Sequence, residues 1–243
     1  MAPMAPRTVF WDVDTQLDFM LPSGTLHVPG AEALLANLGQ LTAAARALRI
    51  PIVHTADDHD LTDPEIAEDG ADFVDTFPPH CLRGTAGVER VPETKPRPGT
   101  VEVAWDGTGL DLEAVRSAPE ILIHKKRFDV FSNPATGPII GALAPERVVV
   151  YGVALDVCNR YAVEGMLGLG LGLGDGDGDG DGGPPPFEIV VVEDAVAALD
   201  PARGAELLAD WRRRGVEVMP TSDVLAACGL GAGSNPPDRQ PGP

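Results

Sequence analysis

The sequence predicts an α/β fold of the doubly wound kind: a mostly parallel, six-stranded sheet with helices on both faces. Three observations predict it. Short apolar, β-branched runs recur along the chain, they are near-continuous rather than alternating, and helical patterns separate them. Continuous apolar runs suit strands covered on both faces, and strand–helix alternation suits parallel pairing through crossovers. The chain has 243 residues, of which 44% are hydrophobic and 23% charged, enough to bury such a core.

Taken in order, strands are predicted at residues 8–13 (TVFWDV), 50–55 (IPIVHT), 120–124 (EILIH), 147–153 (RVVVYGV) and 187–193 (FEIVVVE), with a weak one at 216–219 (VEVM). Between the first two, Leu34, Leu38, Leu41, Ala45 and Leu48 fall on one stripe of an amphipathic helix. After the fifth strand, residues 202–214 form another helix, with Leu207, Leu208 and Trp211 as its apolar side and Gly215 as its stop. One domain is expected over residues 7–228. It is interrupted at 167–186 by a low-complexity Gly-Asp stretch, which cannot pack or hold a helix and reads as a solvated loop. That stretch begins like a calcium loop at Asp175, but Pro186 stands where the closing acidic ligand belongs. Residues 229–243, rich in Gly, Pro and polar side chains, are expected to be a disordered tail.

Eighteen Lys and Arg against 37 Asp and Glu leave a formal net charge of -19. A chain this acidic repels phosphate backbones and anionic lipid, so nucleic acid and membrane surfaces are not its expected partners. The apolar runs are strand-sized, far short of the roughly 20 residues that span a bilayer. The first residues carry acids where a secretory signal would be apolar, and three cysteines cannot all pair within one chain. A reducing cytoplasm is the expected location.

In doubly wound sheets ligands bind beyond the carboxyl ends of the strands, and four suggestive places lie there. Asp14 follows the first strand and, taken alone, is either a turn-former or an active-site acid. Asp57 and His59 follow the second, with His80 further on. One carboxylate and two imidazoles make a common catalytic metal set, and the plain alternative is a polar loop with unrelated histidines. Lys125 and Lys126 follow the third predicted strand, and one of them is expected to be only a solvated charge. Cys158 stands where a strand gives way to a helix, so its thiol is either activated by the helix N-terminus or a buried structural cysteine.

The motifs, read together, resemble those of the isochorismatase-like cysteine hydrolases, the superfamily that includes nicotinamidases. VDTQLDF (13–19) is similar to the family's opening D-x-Q-x-D-F, HTADDH (54–59) to its D-x-H metal element, and FPPHCLRGTAG (77–87) to its W-P-x-H-C-x-x-G-T-x-G element. HKKRFDVFS (124–132) matches its K-x-x-[YF]-x-x-F segment, YGVALDVCNRYAV (151–163) its nucleophile element, and FEIVVVEDAVAA (187–198) the strand that follows. The resemblance implies a catalytic triad of Asp14, Lys125 and Cys158, with Phe128 and Phe131 setting the register that selects Lys125 over Lys126. It implies a divalent metal on Asp57, His59 and His80, zinc first, with manganese or iron as alternatives. It implies a cis peptide at Val153–Ala154 and an oxyanion hole from the Ala154 and Cys158 amides. The implied reaction cleaves the C–N bond of a small carboxamide, nicotinamide first, through a thioester, with a homo-oligomer as the implied assembly. A metal-free enol-ether hydrolase of the isochorismatase type and a catalytically silent binding protein are the alternatives. The chain departs from the pattern at Asp58 and Phe77, where the family usually has Trp, and at Leu155, where it has Thr. Phe19, Phe77 and Leu155 are the expected substrate-pocket residues, the two phenylalanines for stacking on a flat ring.

Overall fold

The computed structural model describes residues 7–169 and 186–230. Most of the Gly-Asp stretch and of the C-terminal tail therefore lies outside the described residues. Seven strands form one sheet in the order β3-β4-β2-β1-β5-β6-β7, and every pairing is parallel. They are β1 (Thr8–Val13), β2 (Ile52–Asp57), β3 (Val101–Val103), β4 (Glu120–Lys125), β5 (Arg147–Val153), β6 (Glu188–Ala197) and β7 (Glu217–Met219). The helices are α1 (Leu17–Met20), α2 (Leu35–Leu48), α3 (Leu112–Ser117), α4 (Thr136–Leu143), α5 (Cys158–Leu169), α6 (Pro201–Arg213) and α7 (Thr221–Ala227).

All six predicted strands are present, and the sheet gains a seventh, β3. Its three residues, Val-Glu-Val, lie between a Pro/Gly-rich turn and a polar loop, too short for any hydrophobic period to register. Both faces of the central strands are apolar, as their unbroken runs require. On one face Val9, Trp11, Val13, Ile121, Ile123, Val148 and Val150 pack with Ile139 of α4, Met166 of α5 and Trp211 of α6. On the other, Phe10, Ile52, Val149, Tyr151 and Val190 pack with Leu38, Leu41 and Ala45 of α2 and Val224 of α7. Each large side chain sealed in these layers contributes roughly 1.5–3 kcal/mol. The predicted α2 stripe is buried from Leu34 to Ala45, while Leu48, at the last turn, is 39% exposed. α6 starts one residue before the predicted start, because Asp200 caps it by accepting from the Ala202 and Arg203 amides and Pro201 opens the first turn.

β1 lies in the middle of the sheet, with β2 on one side and β5 on the other. The crevice at such a reversal of strand order is where doubly wound sheets hold ligands, and the carboxyl ends of β1, β2, β4 and β5 converge there. Between β2 and β3 the chain runs through residues 58–100 with only one short 3₁₀ turn, Ala86–Val88. Among the described residues, no helix is long and apolar enough to cross a membrane.

Candidate active site

Asp14 is the first residue beyond β1 and takes φ 47°, a left-handed conformation that Asp tolerates better than most residues. Lys125 is the last residue of β4, and Cys158 is the first of α5, five residues beyond the end of β5. All three are buried. Lys125 Nζ lies 2.8 Å from Asp14 Oδ2 and 3.9 Å from Cys158 Sγ, and it also pairs with Asp57. Asp14 Oδ1 accepts the Thr55 hydroxyl at 2.6 Å. One carboxylate oxygen each of Asp14 and Asp57 and the Cys158 sulfur lie within 4.8 Å of one another. Lys126 turns elsewhere, to Asp60 and Asp63, so the geometry separates the two adjacent lysines.

The electrostatics follow from burial and from this one cation. Burial pulls the Lys125 pKa down, but Asp14, Asp57 and Cys158 outweigh it and hold the ammonium well above the ordinary lysine range. Burial raises the Asp14 pKa above the usual carboxylate range, with Lys125 opposing and Asp57 adding to the rise. Burial also works against ionisation of Asp57, yet Lys125, His80 and His59 hold its pKa below the carboxylate range. At Cys158, burial pushes the thiol pKa well up, Lys125 opposes, and the two carboxylates add to the rise. The resting arrangement is therefore a neutral thiol beside a carboxylate of increased proton affinity.

Beside this group, Asp57, His59 and His80 present ligand atoms within 4.8 Å of one another. Nε2 of His59 and of His80 lie 3.9 and 3.8 Å from the Asp57 carboxylate. Asp57 Oδ2 and both Nε2 atoms are buried without a hydrogen-bond partner. The opposite ring nitrogens are engaged: His80 Nδ1 donates to the Pro78 carbonyl at 2.7 Å, and His59 Nδ1 meets Asp63 at 3.2 Å. Burial, ahead of every other cause, lowers the His59 pKa and favours the neutral ring a metal requires. Buried orphan donors aimed at one point, with rings fixed from behind, fit a divalent cation of the zinc kind.

Several supporting residues escape sequence reasoning. Gln16 clamps Asp57 on both sides, accepting from its amide and donating to its carbonyl, each at 2.8 Å. Asp18 accepts the amides of Thr25 and Cys81, and so fixes the residue after His80. Glu65 is buried, accepts the Phe128 amide at 2.8 Å, and has its pKa raised to about 7, chiefly by burial. Gln16 and Asp18 stand inside the first motif, where their spacing could have marked them; Glu65 lies in a stretch with no periodicity.

Phe19, Phe77, Phe128, Ala154, Val157 and Cys158, with Leu26, Val28 and Leu199, line a narrow pocket that opens to solvent. None of these side chains is charged. Phe77 packs edge-on against Phe128, ring centroids 4.8 Å apart, and Phe19 lies 5.3 Å from the His80 ring. Of the three residues expected at a substrate pocket, Phe19 and Phe77 line this cavity and Leu155 does not. It is turned toward α6, where a Cβ at Gly204 would come within 3.2 Å of its Cδ2, so its apolar group belongs to the core. The Val153–Ala154 peptide is cis.

A model of the isochorismatase domain family matches residues 9–223. No curated protein matches the chain significantly. Among solved structures, nicotinamidase PncA from Bacillus subtilis is similar over 88% of this chain and 99% of its own, with a TM-score of 0.63 and 19% identity. N-carbamoylsarcosine amidase from Thermoplasma acidophilum is similar over 88% and 96%, with a TM-score of 0.62 and 23% identity. Pyrazinamidase of Pyrococcus horikoshii, solved in complex with zinc, is similar over 88% and 99%, with a TM-score of 0.62 and 21% identity. At these identities the likeness is one of fold.

Proposed function

The chain belongs to the isochorismatase-like hydrolase family, and from that premise we propose that it is a cysteine hydrolase of small aromatic carboxamides, with nicotinamide as the first substrate. The observation that carries this reading is the Lys125 ammonium, 2.8 Å from Asp14 and 3.9 Å from Cys158, at an uncharged pocket that also exposes the sulfur. Asp14 takes the thiol proton, and Lys125 steadies the thiolate that forms. The sulfur attacks the amide carbon, and the Ala154 and Cys158 amides stabilise the oxyanion. Asp14 then passes its proton to the departing nitrogen, and ammonia leaves a thioester. Water, deprotonated by Asp14, attacks the thioester carbon; the acid departs and the proton returns to sulfur.

Asp57, His59 and His80 would hold the metal, zinc first with manganese or iron as alternatives, which when bound supplies a Lewis-acid site for a ring nitrogen or a water. Phe19 and Phe77 offer flat faces for an aromatic ring. Lining without a cation disfavours isochorismate, a dicarboxylate, as the substrate. The family resemblance supports a homo-oligomer, which light scattering of the purified protein tests, and the free cysteines fit a reducing cytoplasm.

The deciding experiment combines metal analysis with ammonia release from a panel of carboxamides. Turnover of nicotinamide is expected, with Cys158→Ala reduced by a factor on the order of 10³ or more. Full activity in Cys158→Ala refutes the mechanism. Turnover of isochorismate with no ammonia from any amide moves the protein to the enol-ether branch.

A further inference from the structure

Asp14 sits where the sheet stops helping it. The β1 ladder ends at Val13, opposite Thr55 and Gly152, and Asp14 then turns into the left-handed region. What holds the next residues is a buried polar frame on the far face of the sheet. Arg90 Nη1 donates to the Thr55 carbonyl at 2.5 Å, the same oxygen that accepts the Asp14 amide at 3.2 Å. Its Nη2 donates to Thr15 Oγ1 at 2.7 Å and pairs with Asp12. The Thr15 hydroxyl donates to Asp12 at 3.0 Å, and His54 Nδ1 meets the other Asp12 oxygen at 2.7 Å. Asp12, Thr15 and His54 are fully buried and Arg90 is 7% exposed. The Arg90 backbone is laid antiparallel against the same segment, with Leu17 donating to Glu89 at 2.7 Å and Val91 to Thr15 at 3.0 Å.

We propose that Arg90 is the positioning residue for Asp14: its guanidinium grips the residue after Asp14, the carboxylate two residues before it, and the carbonyl that receives its amide. The inference rests on the reading of Asp14 as proton acceptor for Cys158. A fold that needed only a closed core would be served as well by apolar side chains at these positions. A planar fork offers donors on separate nitrogens in fixed directions, here Nη1 to the Thr55 carbonyl and Nη2 to Thr15 and Asp12, a spread that the single nitrogen of a lysine does not provide. Proton transfer is sensitive to displacements of about 1 Å, so the frame acts on chemistry it never touches.

The test is alkylation by iodoacetamide at neutral pH, resolved by mass spectrometry at Cys81, Cys158 and Cys228. It needs no substrate, and Asp14→Asn, which removes both the proton acceptor and a charge that raises the thiol pKa, gives the rate without the carboxylate for comparison. Arg90→Lys is expected to slow alkylation of Cys158 roughly tenfold to a hundredfold, the loss of one or two buried charged hydrogen bonds. Cys81 and Cys228 are expected to react unchanged. On any carboxamide the wild type turns over, kcat falls and KM holds. Thr15→Val, nearly isosteric, is expected to act in the same direction by about threefold, and it decides the matter if Arg90→Lys does not fold. Wild-type alkylation of Cys158 in the variant that folds overturns the proposal. So does faster alkylation at all three cysteines together, which marks a loss of stability alone. A wild type alkylated at Cys158 but inert toward carboxamides overturns the proposed function and leaves this inference to the Arg90→Lys rate.

Discussion

Lys125 carries its charge in a place where burial works against it, and only the two carboxylates and the sulfur around it reverse the outcome. Removing the ammonium strands Asp14 and Asp57 side by side with no cation between them. Lys125→Met should therefore cost about 3–5 kcal/mol, a fall of roughly 10 °C in melting temperature, together with loss of hydrolysis. Calorimetry that finds Lys125→Met as stable as the wild type would show that the carboxylates do not depend on the pairing. Glu65 offers a second residue-scale reading, with its sign opposite to that of a salt-bridged acid. Burial raises its folded pKa from 4.5 to about 7, so between those values the folded state binds more protons than the unfolded chain. Stability contributed by the protonated form is present below pH 4.5 and lost as pH rises through 7. Discounted for the solvent that reaches it from the adjoining cleft, the loss is about 2 kcal/mol. In metal-free protein, Glu65→Gln should be the more stable above neutrality and should flatten the pH dependence. Parallel melting curves for the two proteins across pH 5–8 would contradict this.

At the scale of elements, the strands were legible because a central parallel strand must be apolar on both faces, and β1, β2, β4, β5 and β6 announce themselves by that alone. β3 was not, because three residues carry no period. Strand order alone placed Asp14, Lys125 and Cys158 at or beyond the carboxyl ends of β1, β4 and β5, and it was the resemblance of the motifs, not their position, that grouped them and preferred Lys125 to Lys126. Arg90 and Glu65 could not be given roles, because their partners lie across the chain rather than near them in it. Leu155, expected near the pocket because it stands at the family's Thr position, is not among the pocket's lining residues, since a motif position does not say which side of the strand-to-helix turn a different side chain takes. Gly87 shows how tightly these connections pack. A Cβ there would lie 2.0 Å from Asp18 Oδ2, and that carboxylate is held by the Thr25 and Cys81 amides. Gly87→Ala must push Asp18 off Cys81 and loosen its neighbour His80. The expected cost is about 1–3 kcal/mol of stability and about tenfold or more in zinc affinity. Competition titration against a chelator measures the second quantity, and an unchanged affinity would detach Asp18 from the metal site.

For the molecule as a whole, the weak part is the crossing from β2 to β3. Residues 58–100 contain one short 3₁₀ turn and are tied down by a few backbone pairings, among them His59 with Cys81 and Arg83, Glu65 with Phe77, and Gln16 with Arg90. Leu61, Phe73 and Val74 stand exposed within it. Asp57 and His59 open this segment and His80 lies near its middle, so a cation on the three would close a loop of about twenty residues and satisfy three buried orphan atoms at once. Closing a loop removes entropy from the unfolded chain, and a ligand that binds only the folded state stabilises by mass action, about 2.7 kcal/mol at a hundredfold excess over Kd. Zinc should therefore raise the melting temperature by roughly 5–10 °C over chelator-treated protein. Limited proteolysis without metal should cut first between residues 61 and 76, and zinc should slow that cut while leaving cleavage elsewhere unchanged. A melting temperature indifferent to zinc, with the same cleavage rate in both states, would mean that the two imidazoles and the carboxylate meet for packing alone. Lys125 would then be the only charge balancing Asp57, and its role would shift from the thiol to the fold.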